Sequence, residues 1–414
     1  MAAIPMSIAA TQNCRERLLR WQHFSFTASS RGRNCKGRAM HGPGRPVSAL
    51  QQSRKVTVLD HDRAAVVRPE EVRVPSGHAR LTLDVILPTL NRASLLERAL
   101  RSLLTAKIPP ALDVRITVVN NGSTDATGEV LARAQAAHPG RVQAIVERRR
   151  GKSRALNAGI AATGGDLVGM IDDDEEVAEW WYDEIGRAFR NPTLDFIGGP
   201  YVAVWSAPPP EWIPRDYLAV LGAVDNGREA RPYDRSFPGI LKGGNAVIRR
   251  RVLERAGAYA EYLGPTGEAR LLSCEDDEMY QRLLEIGARG RYLPSLLIFH
   301  HVAAERLSPA YYRRWCFWRG VSRGLMDRAH PLPVSYLAGI PRFLYGRAAR
   351  GVLNAARTAA RREPRGHSLN DELALWDLLG YAWGRHIYTL MRYFPFPSRR
   401  RTLAGMARTH QNAE

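Results

Sequence analysis

From Leu81 onward, apolar runs of strand length alternate with segments in which apolar side chains recur every three or four positions. Leu83–Pro88, Arg115–Val119, Val142–Glu147, Asp166–Ile171, Phe196–Val204, Asn245–Ile248 and Leu296–Phe299 read as strands. Ser94-x-x-Glu97 reads as a capping box for a helix carrying Leu95, Leu96, Leu100, Leu103 and Leu104. A second helix follows Asp125, a third covers Ser153–Ala162, and a fourth begins near Glu275 with Ser273 placed to cap it. Strands and helices in alternation predict an α/β fold, a mostly parallel sheet flanked by helices.

The alternation has edges. Residues 1–80 lack periodicity and carry Arg, Ser, Gly and Pro clusters such as Ser29–Asn34 and His41–Arg45, which predicts a disordered basic extension. Its Arg-rich, acid-poor character also suits a transit peptide, although an upstream extension is the preferred expectation. The Pro-rich stretch Ser206–Trp212 breaks the pattern, and irregular excursions of this length usually serve a function. Beyond His301 the chain turns helical, with Tyr311, Tyr312, Trp315, Phe317, Trp318, Trp376, Tyr381 and Trp383 interleaved with Arg. The expected division is 1–80, a core domain 81–324, and a helical C-terminal region 325–414.

A formal net charge of +19 and a pI near 10.3 would suit nucleic acid, an anionic membrane or phosphorylated ligands. Much of the excess lies outside the core: residues 1–58 hold about ten Arg and Lys against the single acid Glu16. Cys14, Cys35, Cys274 and Cys316 are scattered without metal-ligand spacing, which points to reduced thiols and a cytoplasmic setting. With no apolar run long enough to span a bilayer, membrane contact is expected only at the periphery, on the inner face.

Candidate chemistry clusters where strands end. Asp172, Asp173 and Asp174 follow the strand Asp166–Ile171, at the carboxyl edge where open α/β sheets bind ligands. Three adjacent carboxylates repel, and a hard divalent cation would relieve them; an acidic solvated turn running on into Glu175 and Glu176 accounts for the run equally well. Pro88-Thr-Leu-Asn91 and Asn120-Asn-Gly-Ser-Thr-Asp125 are strand-to-helix turns able to hold a base, ribose or phosphate, or simply to turn. Lys152 and Arg154 sit at a helix start, where cations oppose the dipole unless an anion binds or the loop is merely solvated. Glu275-Asp-Asp-Glu278 is a second acidic cluster that offers a general base or ordinary dipole compensation. His300 and His301 end the strand Leu296–Phe299, either as structural histidines or as partners of a divalent site.

In this order and spacing, from about Leu83 to Gly324, the motifs resemble family 2 glycosyltransferases of the GT-A fold. Pro88 and Asn91 match the strand-one Pro-x-x-Asn; residues 120–125 match the Asp-Asn-Gly-Ser-Thr-Asp turn, with Asn120 where the family commonly has the uracil-reading Asp. Ala155, Asn157 and Gly159 match Ala-x-Asn-x-Gly, Asp172 and Asp174 match Asp-x-Asp, and Gly243-Gly-Asn245 matches the segment near sugar and acceptor. Glu275 to Arg282 matches Glu-Asp-x-Glu-x-x-x-Arg, and His300, Val302, Arg306, Ser308 and Tyr312 match the closing set.

The resemblance implies an inverting transfer of a sugar from a nucleotide diphosphate sugar to a hydroxyl on a glycan or lipid-linked acceptor. It assigns the base to Asp276 and the metal, Mg²⁺ or Mn²⁺, to Asp172, Asp174 and His300. The donor side falls to Pro88, Thr89, Asn91, Asn120, Asn121, Lys152, Arg154, Asn157, Asp172 and Asp173, and the acceptor side to Gly244, Asn245 and Glu275. Asn120 both donates and accepts, so it leaves the base open beyond uracil. A sugar-phosphate nucleotidyltransferase would share the sheet and the acids, but no Gly-rich basic loop follows the first strand to hold a triphosphate. A non-catalytic nucleic-acid binder would explain the charge but not two ordered carboxylate clusters; no nucleic acid is expected.

Overall fold

The computed structural model describes residues 80–388, apart from 211, 214–217, 219, 268–269 and 361–364. The expected disordered extension therefore lies outside the described residues, save for Arg80, as do Cys14 and Cys35 and the end of the chain.

The apolar runs become strands β1 (Leu81–Thr89), β2 (Leu112–Asn120), β3 (Val142–Val146), β4 (Leu167–Met170), β5 (Glu175–Val177), β6 (Phe196–Gly198), β7 (Tyr201–Trp205), β8 (Arg231–Tyr233), β9 (Ala246–Arg249), β10 (Gly290–Tyr292) and β11 (Ile298–Val302). The helices that matter for the site are α1 (Ala93–Thr105), α2 (Thr127–Ala137), α3 (Lys152–Ala161), α4 (Trp181–Ala188), α5 (Arg250–Ala256) and α6 (Glu275–Glu285). Eight strands form one sheet in the order β3-β2-β1-β4-β9-β6-β10-β8. β3, β2, β1 and β4 pair in parallel, as do β6 and β10, while β9 and β8 run antiparallel to their neighbours.

Both faces of this sheet are covered, which is why its strands read as nearly unbroken apolar runs. Leu83, Val85 and Leu87 of β1 point into a core with Leu96 and Leu103 of α1 and Trp181 of α4. Ile86 points the other way, into a core with Leu156 of α3, Val252 of α5 and Met279 of α6. Pro88 lies past Ile86, where the β4 pairing ends, so its missing N–H breaks no bond on that side.

Three local expectations are corrected. Phe196–Val204 is two strands, because the chain leaves the main sheet at Gly199 and Pro200; a Cβ at Gly199 would lie 1.8 Å from the Leu296 carbonyl oxygen. β7 instead joins a second sheet, ordered β5-β11-β7. The capping box does not form: Arg92 is the N-cap of α1, Ser94 falls inside the helix, and the Ala93 amide donates to Asp125 from the next loop at 3.1 Å. Likewise Cys274, not Ser273, is the N-cap of α6, and it makes no side-chain capping bond.

C-terminal to β11 come α7 (Pro309–Ala329), α8 (Arg342–Ala360) and α9 (Arg365–Ala382). α7 runs without a break across residue 324. α7 and α9 approach backbone to backbone: a Cβ at Gly320 would lie 2.3 Å from the Asp377 carbonyl oxygen, and one at Gly380 would lie 1.9 Å from that of Phe317. Tyr312 of α7 and Leu373 of α9 bury against Ala203 of β7 and Val302 of β11, so this helical region packs on the α/β body. Among the described residues no helix is long and apolar enough to cross a membrane.

Candidate active site

The chain leaves β4 at Met170 and enters β5 at Glu175, so the acidic run forms the bridge between the two sheets. Asp173 turns inward, accepting from the Thr89 hydroxyl and from Arg92 at 2.8 Å each. Asp174 Oδ2 accepts from Arg92 at 2.8 Å and from Arg306 at 3.1 Å, with His300 Nε2 3.7 Å away. Asp172 faces Lys152, whose Nζ lies 2.7 Å from Oδ2. Glu175 folds back so that its carboxylate accepts the Asp172 amide at 2.8 Å, and β11 pairs His300 directly opposite it. Ligand oxygens of Asp172, Asp174 and Glu175 come within 4.8 Å of one another.

The second cluster lies at the start of α6. Lys152 Nζ also stands 3.7 Å from Glu275, so one ammonium joins both acidic groups. Glu278 is tied to Arg282 at 2.6 Å, one turn on. Asp276 differs from its neighbours: its Oδ1 is buried and has no hydrogen-bond partner. It packs on Gly243, where a Cβ would come within 2.2 Å of that oxygen, and Gly244 likewise packs on the Glu175 carboxylate, at 2.3 Å. The adjacent glycines thus leave room for one carboxylate from each cluster.

These charges are out of balance. Burial pushes Glu175 well above the usual carboxyl range, with Asp172 and Asp174 adding to the effect. Burial, reinforced by Asp276, lifts Glu275 to about 8 against the opposing pull of Lys152. Asp173 rises to about 6, again first through burial. Burial would raise Asp174 as well, but His300, Arg92 and Arg306 together hold it well below its ordinary value. Burial would lower Lys152, but Asp172, Asp276 and Glu275 hold its ammonium well above. The Tyr201 hydroxyl, buried and unpartnered, is pushed well up by burial and then by Glu175, Asp276 and Asp172. Three converging carboxylates, one of them resisting ionisation through burial and its two acidic neighbours, are a donor set that fits a hard divalent cation.

The family model for glycosyl transferase family 2 matches residues 84–257, which hold β1 to α5 and the whole Asp172–Glu175 run. Pre-mycofactocin glycosyltransferase of Mycobacterium tuberculosis is 28% identical over 283 residues, covering 66% of this chain and 53% of that protein. Glucosyl-dolichyl phosphate glucuronosyltransferase of Haloferax volcanii is 26% identical over 188 residues, covering 44% of this chain and 58% of that protein. Over residues 84–257 the chain is thus similar to glycosyl transferase family 2. It spans little more than half the length of these two relatives. Among solved structures, mannosyltransferase PcManGT from Pyrobaculum calidifontis, in complex with GDP-Man and Mn²⁺, is similar at 20% identity and a TM-score of 0.48, covering 74% of this chain and 87% of that one.

Several of the family 2 motif residues are committed to scaffolding. Asn121 donates to the Glu147 and Arg149 carbonyls at 2.8 and 2.9 Å and accepts the Gly151 amide at 2.7 Å, which fixes the loop leading to Lys152. Asn157 clamps Tyr259, accepting its amide at 2.8 Å and donating to its carbonyl at 2.9 Å. Asn245 accepts from the Trp181 indole at 3.0 Å and donates to the Leu296 carbonyl at 2.7 Å, deep in the core. Asn91, with φ at 54°, accepts the Thr124 amide at 2.7 Å, and Asn120 accepts the Ser123 amide at 2.9 Å. These bonds lock together the loops after β1 and β2. Arg154 points to Glu261 at 3.1 Å.

Sequence reasoning did not single out Arg92, Glu175 or Tyr201 for the site. Arg92 follows the motif residue Asn91 directly, and Glu175 is the next acid after the run, so both were within reach. Tyr201 had no sequence cue, since only the turn at Gly199 and Pro200 brings β7 alongside.

Proposed function

We propose that this chain is an inverting glycosyltransferase that moves a hexose from a nucleoside diphosphate to a hydroxyl acceptor. The observation that carries the reading is Asp276, a carboxylate with a buried oxygen that no protein group satisfies, beside the glycine pair and facing the first acidic cluster. A carboxylate held open in this way is suited to take the acceptor's proton as the hydroxyl attacks the anomeric carbon. Attack on the side away from the departing diphosphate inverts that carbon.

Lys152, drawn between Asp172 and Glu275, is placed to meet the donor phosphates, with the locked loops carrying Thr89, Asn91, Asn120 and Asn121 forming the nucleoside side. Held by Asp172, Asp174 and Glu175, with His300 behind Asp174, Mg²⁺ or Mn²⁺ would neutralise charge developing on the leaving diphosphate. Arg92 and Arg306 then keep Asp174 ionised, and Arg92 aligns Asp173 beside it.

A lipid-linked or cell-envelope acceptor fits the reading, supported by the Haloferax relative, named for a dolichyl phosphate substrate. Exposed Leu337, Val352, Leu353, Leu379 and Ile387, among the arginines of the C-terminal region, suit peripheral contact with the inner face of a membrane. Flotation with anionic liposomes tests that contact; protein that stays at the bottom of the gradient removes it.

For the reaction, Asp276→Asn should cut nucleoside diphosphate release about 10²- to 10⁴-fold while donor affinity stays within about twofold. A variant retaining the wild-type rate would overturn the assignment of the base. The donor itself is found by thermal shift with UDP, GDP and dTDP and their sugars, each with Mn²⁺ and with EDTA.

A further inference from the structure

The start of α6 is held from an unexpected direction. The Ser273 amide donates to the Ser322 hydroxyl of α7 at 2.9 Å, and that hydroxyl donates in turn to the Trp318 carbonyl at 2.9 Å. Ser322 is completely buried. The next residue after Ser273 is Cys274, the helix N-cap, whose φ of 70° puts a side chain with a Cβ into the left-handed region. Such a backbone persists only where its surroundings hold it there. Glu275 and Asp276 follow immediately.

α7 is itself fixed in place. Ser322 lies between Gly320 and Gly324, both pressed against the α9 backbone, and Arg319 and Arg323 on either side are anchored on Asp377 at 3.0 Å each. We propose that Ser322 is a positioning residue for the Asp276 carboxylate, and that the α7–α9 crossing sets the aim of the base through it. The proposal rests on Asp276 being that base. Without the hydroxyl, the half-buried Ser273 amide loses its partner, the left-handed turn at Cys274 is released, and the first turn of α6 rotates. The donor side, built on the loops after β1 to β4, keeps its own anchors, with Lys152 still held by Asp172 at 2.7 Å. Misplacing a reacting group by about an ångström can cost on the order of 10²-fold in rate.

Ser322→Ala tests this, with Glu372→Gln as a control that weakens the α7–α9 interface at its Arg313 pair, away from α6. Hydrogen exchange of the amides from Glu275 to Glu278 should speed up at least about tenfold in Ser322→Ala and stay unchanged in the control. With UDP-glucose, GDP-mannose or dTDP-glucose, whichever binds, and water as acceptor, nucleoside diphosphate release should fall roughly 10- to 100-fold at nearly constant donor affinity. In an Asp276→Asn background the same change should cost less than about twofold, because there is no longer a base to aim. Unchanged exchange at α6 would overturn the proposal, and so would a full multiplicative loss in the Asp276→Asn background, which would make Ser322 a residue of the fold alone. Should Asp276→Asn retain full rate, the base assignment fails by itself, and the exchange data still decide whether Ser322 governs the turn.

Discussion

Two regions of the molecule bury acids among arginines, with opposite results. In the C-terminal helices, Asp377 is enclosed by Arg319 and Arg323 at 3.0 Å and Arg347 at 3.9 Å. Burial would raise its carboxyl, but those three guanidinium groups hold it below its ordinary value. At the carboxyl edge of the main sheet, Glu175 and Glu275 are equally enclosed and are driven upward, first by burial, which no arginine offsets, and then by Asp172, Asp174 and Asp276. The first arrangement is complete and holds helices together. The second is short of positive charge, which is the condition a cation or a charged substrate would relieve.

The contrast can be broken most directly at Asp377. Asp377→Ala leaves its arginines buried without their anion and should destabilise the protein by about 3–5 kcal/mol in urea denaturation. A loss under about 1 kcal/mol would mean that the helical region does not depend on this ion-pair knot. Glu175→Gln should do the reverse. Without a divalent cation the variant should be as stable as the parent or up to about 1–2 kcal/mol more so, since a like charge is gone. It should also lose most of the melting-temperature rise that Mn²⁺ gives; a full Mn²⁺ response would remove Glu175 from the metal set.

The pH dependence sharpens the same point. Carboxyls raised by folding, such as Glu275 at about 8 and Asp173 at about 6, contribute stability that is complete below their ordinary values and lost as pH rises through the folded ones. Asp377 and Asp174, held low, lose theirs only on acidification below their ordinary 3.8. In EDTA, therefore, the melting temperature should fall between about pH 5 and about pH 8, and Mn²⁺ should flatten the slope. A profile identical with and without the ion would contradict the account. The smallest effect belongs to the partly exposed Arg313–Glu372 pair, where Glu372→Gln should cost less than about 1 kcal/mol.

The sheet was legible because burial on two faces leaves a continuous apolar imprint, and the acidic run because like charges placed together demand a reason. Asp172 and Asp174 could be picked out this way, and the order of motifs pointed to Asp276, whose buried Oδ1 has no partner beside Gly243. The scaffolding work of Asn121, Asn157 and Asn245 was not legible, since a motif asparagine that grips a loop and one that grips a ligand look alike in sequence. Asp125 capping α1 across a loop was hidden for a related reason: the capping box compares only residues three apart. The glycine pairs at Gly320/Gly324 and Gly380/Gly384 carry their spacing openly, but only the folded chain shows that they face each other.

His300 and His301 stand side by side on β11, and the two-residue period of a strand sends the first towards Asp174 and the second to Glu176. A slip of one residue would set one imidazole in the other's place, with Phe299 or Val302 following it, and so would forfeit only one of the two acid–imidazole pairings. Ile298 and Val302, both buried on the same face as His300, supply the distinction, because the slipped strand would turn them out of the core. The register of the acidic site thus leans on two aliphatic side chains with no chemistry of their own.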